Sequence, residues 1–467
     1  MSNIKQGSIC LAILCMLFIS SYVLFGHLNV KRRSPLPAIS EMERLFKALA
    51  NLGPFQVAGV EIMYDGKYSM KTENFSFSYT IQYQSLQKHR DTLAMGNRIV
   101  KAKQPVKWKG YLKVLAVGEE LSKSISNFLT LAYVMAPGMG QMKLVAPHFS
   151  GGGMGAIGDP FEMFFNLKHV NEVLSNNGYS ILVKDDEYEK ECKDEMIYVL
   201  HHVYPNSRIR GPLTVDVYHE LFEKKGGRDW MECDKAAPKT ANKLTNGTFK
   251  KSICMRKFNM TRLQETVLKN AKCIEMARWV DHGLTKVNMG DDRVSTDLIF
   301  RWLIHPSDML MEEAKAFMDL RLERPYVAIH IRSGHINRPP SNVRRCFKVA
   351  MEFVKALKST RNVKSVFLST DMTEFGSVAR KRDITEGELA ALAGAVTYDP
   401  KATGKLKVIV KSTVSITSVL LMSQSDHLIT LGTGSFHGFI VGRFYMHHLD
   451  MDPNTWSLNN ICSKVRR

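Results

Sequence analysis

The residues best suited to chemistry stand in two short segments. In Tyr326-Val-Ala-Ile-His-Ile-Arg332, alternation along a strand puts Val327, Ile329 and Ile331 on one face and Ala328, His330 and Arg332 on the other. His330 and Arg332 therefore point the same way at the carboxyl end, where Ser333-Gly334 lets the backbone turn. An arginine on a buried side needs an anion, and its planar fork matches a phosphate. A structural salt bridge to a neighbouring acid is the plainer alternative. The second segment, Ser425-Asp-His-Leu-Ile-Thr-Leu-Gly432-Thr-Gly434-Ser435-Phe436, reads as a strand, a turn and the start of a helix. Such a turn offers backbone N–H groups and hydroxyls to a diphosphate, reinforced by the helix dipole. An ordinary capped strand-to-helix turn would look the same.

Two other patterns carry less. Gly153-Met-Gly155-Ala-Ile-Gly158 matches G-x-G-x-x-G, but Asp159-Pro160 follows, and a proline biases its predecessor away from helix. A dinucleotide site needs a helix opening inside the glycines, so these residues are expected to form a loop at a strand end. Asp450-Met-Asp452 precedes Pro453 and reads as a solvated turn. No metal site is expected.

The elements that must position these residues alternate. From Trp108 onward, GYLKVLAV reads as a strand, EELSKSISNFLTLAYVMA as a helix and QMKLVAP as a strand. FEMFFNLKHVNEVLSN is helical and YSILV closes the β-α-β-α-β run. Residues 184–250 look irregular, and TRLQETVLKNAKCIEMARWVDHG looks like one long amphipathic helix. A helix from Ser307 to Leu322 begins with a Ser-Asp cap. After it come the strand RPYVAIHIR, the helix NVRRCFKVAMEFVKALKS, the strand KSVFLSTD, AVTYD, the helix STVSITSVLLMSQS, the strand HLITLG and a helix through SFHGFIVGRFY. This is an α/β chain with two doubly wound, Rossmann-like domains facing a cleft, and ligands are expected at the carboxyl ends of the strands.

At 467 residues, 45% hydrophobic and 23% charged, the chain has the composition of a folded globular protein. Lys and Arg number 64 against 45 Asp and Glu, a formal charge of +19, which invites nucleic acid, anionic lipid or a phosphorylated small molecule. The basic residues are scattered and no aromatic-basic module is present, so nucleic acid is not an expected partner. Residues 9–28, ICLAILCMLFISSYVLFGHL, carry no formal charge and span about 30 Å as a helix. Without an A-x-A cleavage site they read as an uncleaved signal-anchor behind a tail at 1–8. Lys31, Arg32 and Arg33 follow the segment and would draw its C-terminal side to the cytoplasm. The six cysteines beyond the segment suit up to three disulfides in an oxidising compartment, with buried reduced thiols as the alternative. The expectation taken is lumenal: a single-pass type II protein of the Golgi or endoplasmic reticulum, with a stem and entrance segment at 29–105.

YVAIHIR resembles the H-x-R strand of fucosyltransferases that use GDP-fucose, and DHLITLGTGSF resembles the strand and turn of the protein O-fucosyltransferases. VFLSTD, ending at Asp371, is similar to the strand between them. GEELSKSISNFLTLAYVMA resembles the first glycine-loop helix of that family, and FEMFFNLKHVNEV its next helix. The likeness runs from about 110 to 460, and the roughly 200 residues between first helix and H-x-R fit the protein-modifying branch.

The resemblance implies a GT-B fold, no metal, and inversion at the fucose carbon. It implies an acceptor-side domain over 106–300 and a GDP-fucose-binding domain over 301–467. Arg332 would hold the β-phosphate and stabilise leaving GDP, and His330 would line the nucleotide site. Asp371, Gly434, Ser435 and Phe436 would complete the donor site, and Glu119 or Glu120 would serve as base or merely complement the helix dipole. The acceptor would be a protein Ser or Thr; a galactose hydroxyl on a glycan, or nucleotide-sugar binding without turnover, are the alternatives. Three places depart from the family pattern: Ser333-Gly334-His335 where related strands continue with Arg and Asp, Lys123 in place of Asn, and Ser418 in place of Asp.

Overall fold

In the computed structural model the described residues are 57–62, 67–72, 75–80 and 106–461 less 118–120, 152, 177, 204–217, 225–228, 234–249, 280–304, 334–340, 373–384, 433, 449–450 and 452–454. The expected signal-anchor at 9–28 lies outside them, as do Glu119, Glu120, His335, Asp450, Asp452 and Cys462. Among the described residues no helix is long and apolar enough to cross a membrane.

Strands β1 (Val57–Ile62), β2 (Lys67–Thr72) and β3 (Phe75–Thr80) pair as an antiparallel meander within the segment expected to be stem. The α/β part begins with β4 (Gly110–Val114), β5 (Ala116–Val117) and α1 (Leu121–Val134). In α1 the buried Leu121, Ile125, Phe128, Leu129 and Ala132 recur at helical spacing and form the stripe that packs into the core. Next come β6 (Met142–Val145), β7 (His148–Ser150), β8 (Gly153–Gly155), α2 (Leu167–Asn176) and β9 (Leu182–Val183). The glycine-rich stretch is a strand pairing with β5 and β7; no helix opens within it, so it lacks the geometry of a dinucleotide fingerprint.

The described residues of 184–250 are not all irregular, and the rest of that segment lies outside the described residues. Those described contribute α3 (Asp185–Cys192), β10 (Ile197–His202), a π-helical turn at His219–Lys224 and β11 (Trp230–Glu232), leading to β12 (Lys250–Met255). The long helix expected from Thr261 is absent too. Only α4 (Met260–Glu265) is helical, and Cys273–Met276 is strand β13. All residues of β13 are buried, because it lies between β10 and β4 in a seven-stranded sheet ordered β11-β12-β10-β13-β4-β6-β9. Burial on both faces erases the alternation that would mark a strand. Every pairing in this sheet is parallel except β11 with β12.

The second half holds α5 (Asp308–Arg321), β14 (Tyr326–Ile331), α6 (Ser341–Arg361), β15 (Ser365–Thr370), α7 (Glu386–Ala393), β16 (Val396–Thr397), α8 (Lys411–Ser423), β17 (His427–Leu431), α9 (Ser435–His448) and β18 (Ser457–Ile461). Its sheet is parallel throughout, ordered β16-β15-β14-β17-β18. The order runs outward in one direction from β14 to β16 and in the other from β17 to β18. The strand order therefore reverses between β14 and β17, where a doubly wound sheet leaves a crevice for ligands. Ser307 does not cap α5 with its hydroxyl as expected; it donates instead to the Met163 carbonyl at 2.7 Å. With Asn166 N to His305 O and Ser307 N to Phe164 O, both 2.9 Å, it ties the two halves together.

Disulfides join Cys192 to Cys273 and Cys233 to Cys254, and Cys346 is also disulfide-bonded. The first spans 81 residues and fastens α3 to β13. Closing a loop of that length restricts the unfolded chain by about 4.5 kcal/mol in the chain-entropy relation. Cys192→Ala and Cys273→Ala should therefore lose similar amounts of unfolding free energy in urea, about 2–4 kcal/mol. The double variant should lose no more than either alone.

Candidate anion-binding site

Strand β14 is the centre of the site. Its six residues are all buried, as expected of a short apolar run inside a parallel sheet. Its start is fixed by two bonds: Tyr326 N–H donates to Asp426 Oδ2 at 2.9 Å, and Tyr326 OH donates to the Leu421 carbonyl at 2.6 Å. Its end is fixed by Arg332 N–H, which donates to the Leu431 carbonyl of β17 at 2.8 Å. The next residue of β17's chain is Gly432, at φ +91°, where a Cβ would lie 2.8 Å from the Arg332 carbonyl oxygen. Glycine is required there both for the left-handed conformation and for the approach. Gly434 follows at φ +130°, and α9 begins at Ser435.

Arg332 is partly exposed and its Nη1 lies 3.6 Å from Asp371 Oδ2. Asp371 is 5% exposed, and its Oδ1 accepts from Ser333 N–H at 2.8 Å. The acid expected to touch the donor thus faces the end of β14 and orients the arginine. Among the described residues this one contact leaves most of the guanidinium's five donors for another partner.

His330 is 2% exposed, and neither ring nitrogen makes a well-formed hydrogen bond among the described residues. Its ring lies 5.6 Å from that of Phe436. Burial, then His437 and Arg332 nearby, push its pKa down to about 3, with the Ser369 backbone working weakly the other way. Burial also pushes His437 down to about 4. Both imidazoles are neutral at physiological pH and add no positive charge to that of Arg332 and the helix end.

One contributor not singled out in the sequence is Ser122, in the first turn of α1. Its hydroxyl donates to Ser435 Oγ at 2.9 Å across 313 residues of sequence. The first turns of α1 and α9 therefore meet, and neither contains an acidic residue. Gly434, Ser435, Phe436, His330, Arg332 and Asp371 are thus gathered where the strand order reverses. Glu119 and Glu120 precede α1 outside the described residues. Lys123 is half-buried in α1 and Ser418 is buried in α8. No group of metal-ligating residues is found among the described residues.

No protein-family model matches the chain, and no curated protein does. Solved structures do. A crystal structure of POFUT1 in complex with GDP-fucose matches at 15% identity and TM-score 0.46, covering 76% of this chain and 99% of that one. POFUT1 in complex with GDP matches at 14% identity and TM-score 0.45, with the same coverage. The fucosyltransferase NodZ from Bradyrhizobium matches at 12% identity and TM-score 0.34, covering 72% of this chain and 92% of that one.

A second carboxyl lies at the same sheet edge. Thr370 ends β15; its hydroxyl accepts from Met372 N–H at 3.1 Å and donates to Glu386 Oε1 at 3.3 Å. Burial pushes the Glu386 pKa up to about 7, opposed by the Thr370 bond. The folded carboxyl keeps its proton where the unfolded one has lost it. Its contribution to stability is therefore full below the ordinary value of 4.5 and falls away as pH rises through about 7. Glu386→Gln keeps the acceptor oxygen without the charge. Its melting temperature should match wild type at pH 4 and exceed it at pH 8.

Proposed function

We propose that this chain is an inverting glycosyltransferase that moves L-fucose from GDP-fucose to a serine or threonine hydroxyl of a protein in the secretory pathway. The observation that carries the proposal is the meeting of the α1 and α9 first turns beside Arg332, with no acid in either turn. Two helix N-termini and a guanidinium make a place for a group of high negative charge, such as a diphosphate. The choice of GDP and fucose rests on the resemblance of YVAIHIR, VFLSTD and DHLITLGTGSF to the fucosyltransferase segments.

In transfer, the bond between the anomeric carbon and the β-phosphate oxygen breaks and its electron pair leaves with GDP. The acceptor oxygen bonds to the opposite face of that carbon and gives up its proton. Charge builds on the departing diphosphate, so donors already aimed at it lower the barrier most. Arg332 and the free N–H groups of the α9 first turn are those donors in this proposal, in the place a metal would otherwise fill. His330 and Phe436 pack beside them, Asp371 holds the arginine, and Glu119 or Glu120 takes the acceptor proton. The half built on β4 takes the acceptor and the half built on β14 takes the donor.

The disulfides support an oxidising compartment, and residues 9–28 would anchor the chain in the Golgi or endoplasmic reticulum membrane with the catalytic part in the lumen. The purified full chain should be stabilised by GDP and GDP-fucose, and less by UDP-galactose. A ligand at 100 times its Kd adds about 2.7 kcal/mol, read as a rise in melting temperature. Arg332→Ala should lose the shift and lower kcat for fucosyl transfer by about 100-fold or more. Arg332→Lys should recover little, because an ammonium lacks the fork. A folded chain that GDP does not stabilise rules the proposal out.

A further inference from the structure

The hydroxyl of Ser122 is the least expected group at the site, and its bond to Ser435 has a direction. Ser122 is 9% exposed, so its proton must find a protein acceptor, and Ser435 Oγ at 2.9 Å is that acceptor. A hydroxyl has one proton and two lone pairs. With a lone pair committed to Ser122, the proton of Ser435 has no acceptor among the described residues. Ser435 is only half-buried and stands at the first position of α9, where backbone N–H groups also lack intrahelical partners.

We infer that Ser122 is a positioning residue for the bound diphosphate: by donating to Ser435 Oγ it turns the Ser435 proton outward, making Ser435 a donor to the anion. The inference rests on the donor reading above. A second observation marks the same spot as a place for a ligand. His330, fully buried against Phe436 in the first turn of α9, keeps both ring nitrogens without a well-formed bond, and buried polar atoms in that state point to a missing partner. Without Ser122, the Ser435 hydroxyl is free to rotate and spend its proton elsewhere, and the anion loses an oriented donor although nothing that touches it has been removed.

The test is calorimetric titration of the full chain with GDP and, separately, with inorganic pyrophosphate, for wild type, Ser122→Ala, Ser122→Thr, Ser435→Ala and the double alanine variant. Ser122→Ala should weaken both ligands about fivefold, the scale of one neutral hydrogen bond, and Ser122→Thr should bind as wild type. Ser435→Ala should weaken them at least as much, and the double variant no more than Ser435→Ala alone, because Ser122 acts only through Ser435. Unchanged affinity in Ser122→Ala, or losses that add in the double variant, would overturn the inference and leave Ser122 a structural tie seen only in melting temperature. If wild type binds pyrophosphate but shows no preference for GDP, the nucleotide-sugar reading fails, and the pyrophosphate series alone decides the role of Ser122. If wild type binds neither, both are overturned.

Discussion

The bond from Arg332 N–H to the Leu431 carbonyl is the one on which the site depends. It is the last rung between β14 and β17, and it sets the arginine beside the turn that starts α9. Because Gly432 has no side chain, the turn can approach the Arg332 backbone to contact. At the other end of the strand, the Tyr326 bonds to Asp426 and Leu421 fix the register. A slip of one residue would carry His330 and Arg332 to the opposite face, so these remote bonds specify which side chains reach the crevice.

The electrostatics follow from burial. Burial keeps His330 and His437 neutral; the His330 ring packs against Phe436, and neither imidazole adds to the positive charge of the Arg332 guanidinium. Asp371 faces that guanidinium, but its other oxygen is held by the Ser333 N–H. An acid restrained in this way orients the arginine without enclosing it. The salt bridge considered from sequence and the proposed anion site are therefore compatible: the first aims the group that the second would use.

The second half of the chain was legible because β14, β15 and β17 are apolar runs bounded by turn residues, with helices of clear periodicity between them. The first half was less so, for identifiable reasons. Cys273-Ile-Glu-Met276 is buried on both faces at the middle of a sheet, so it shows no alternation, and the apolar residues preceding it simulate a helical stripe. Ser457–Ile461 contains two asparagines and a serine and becomes strand β18 only by pairing with β17. The role of Ser307 reversed because a carbonyl from the other half offered its hydroxyl a better partner than its own helix did. The meeting of Ser122 with Ser435 has no local signature at all. Contacts between residues so far apart follow from how two sheets pack, and a single sequence does not encode them in any pattern that periodicity or spacing can reveal.

That packing joins the halves by ties of unequal strength. Near His305 and Ser307 they share backbone hydrogen bonds and a buried apolar surround, which makes a firm seam. At the start of α1 and α9 they share a bond between two hydroxyls, worth about 1 kcal/mol. Hydrogen bonds in a chain polarise one another, so an anion accepting the Ser435 proton strengthens the bond that Ser122 makes to Ser435. The weak tie therefore becomes stronger when the crevice is filled. An anion at the turn and the Ser122 hydroxyl would then be the two ends of one hydrogen-bonded chain that runs through Ser435.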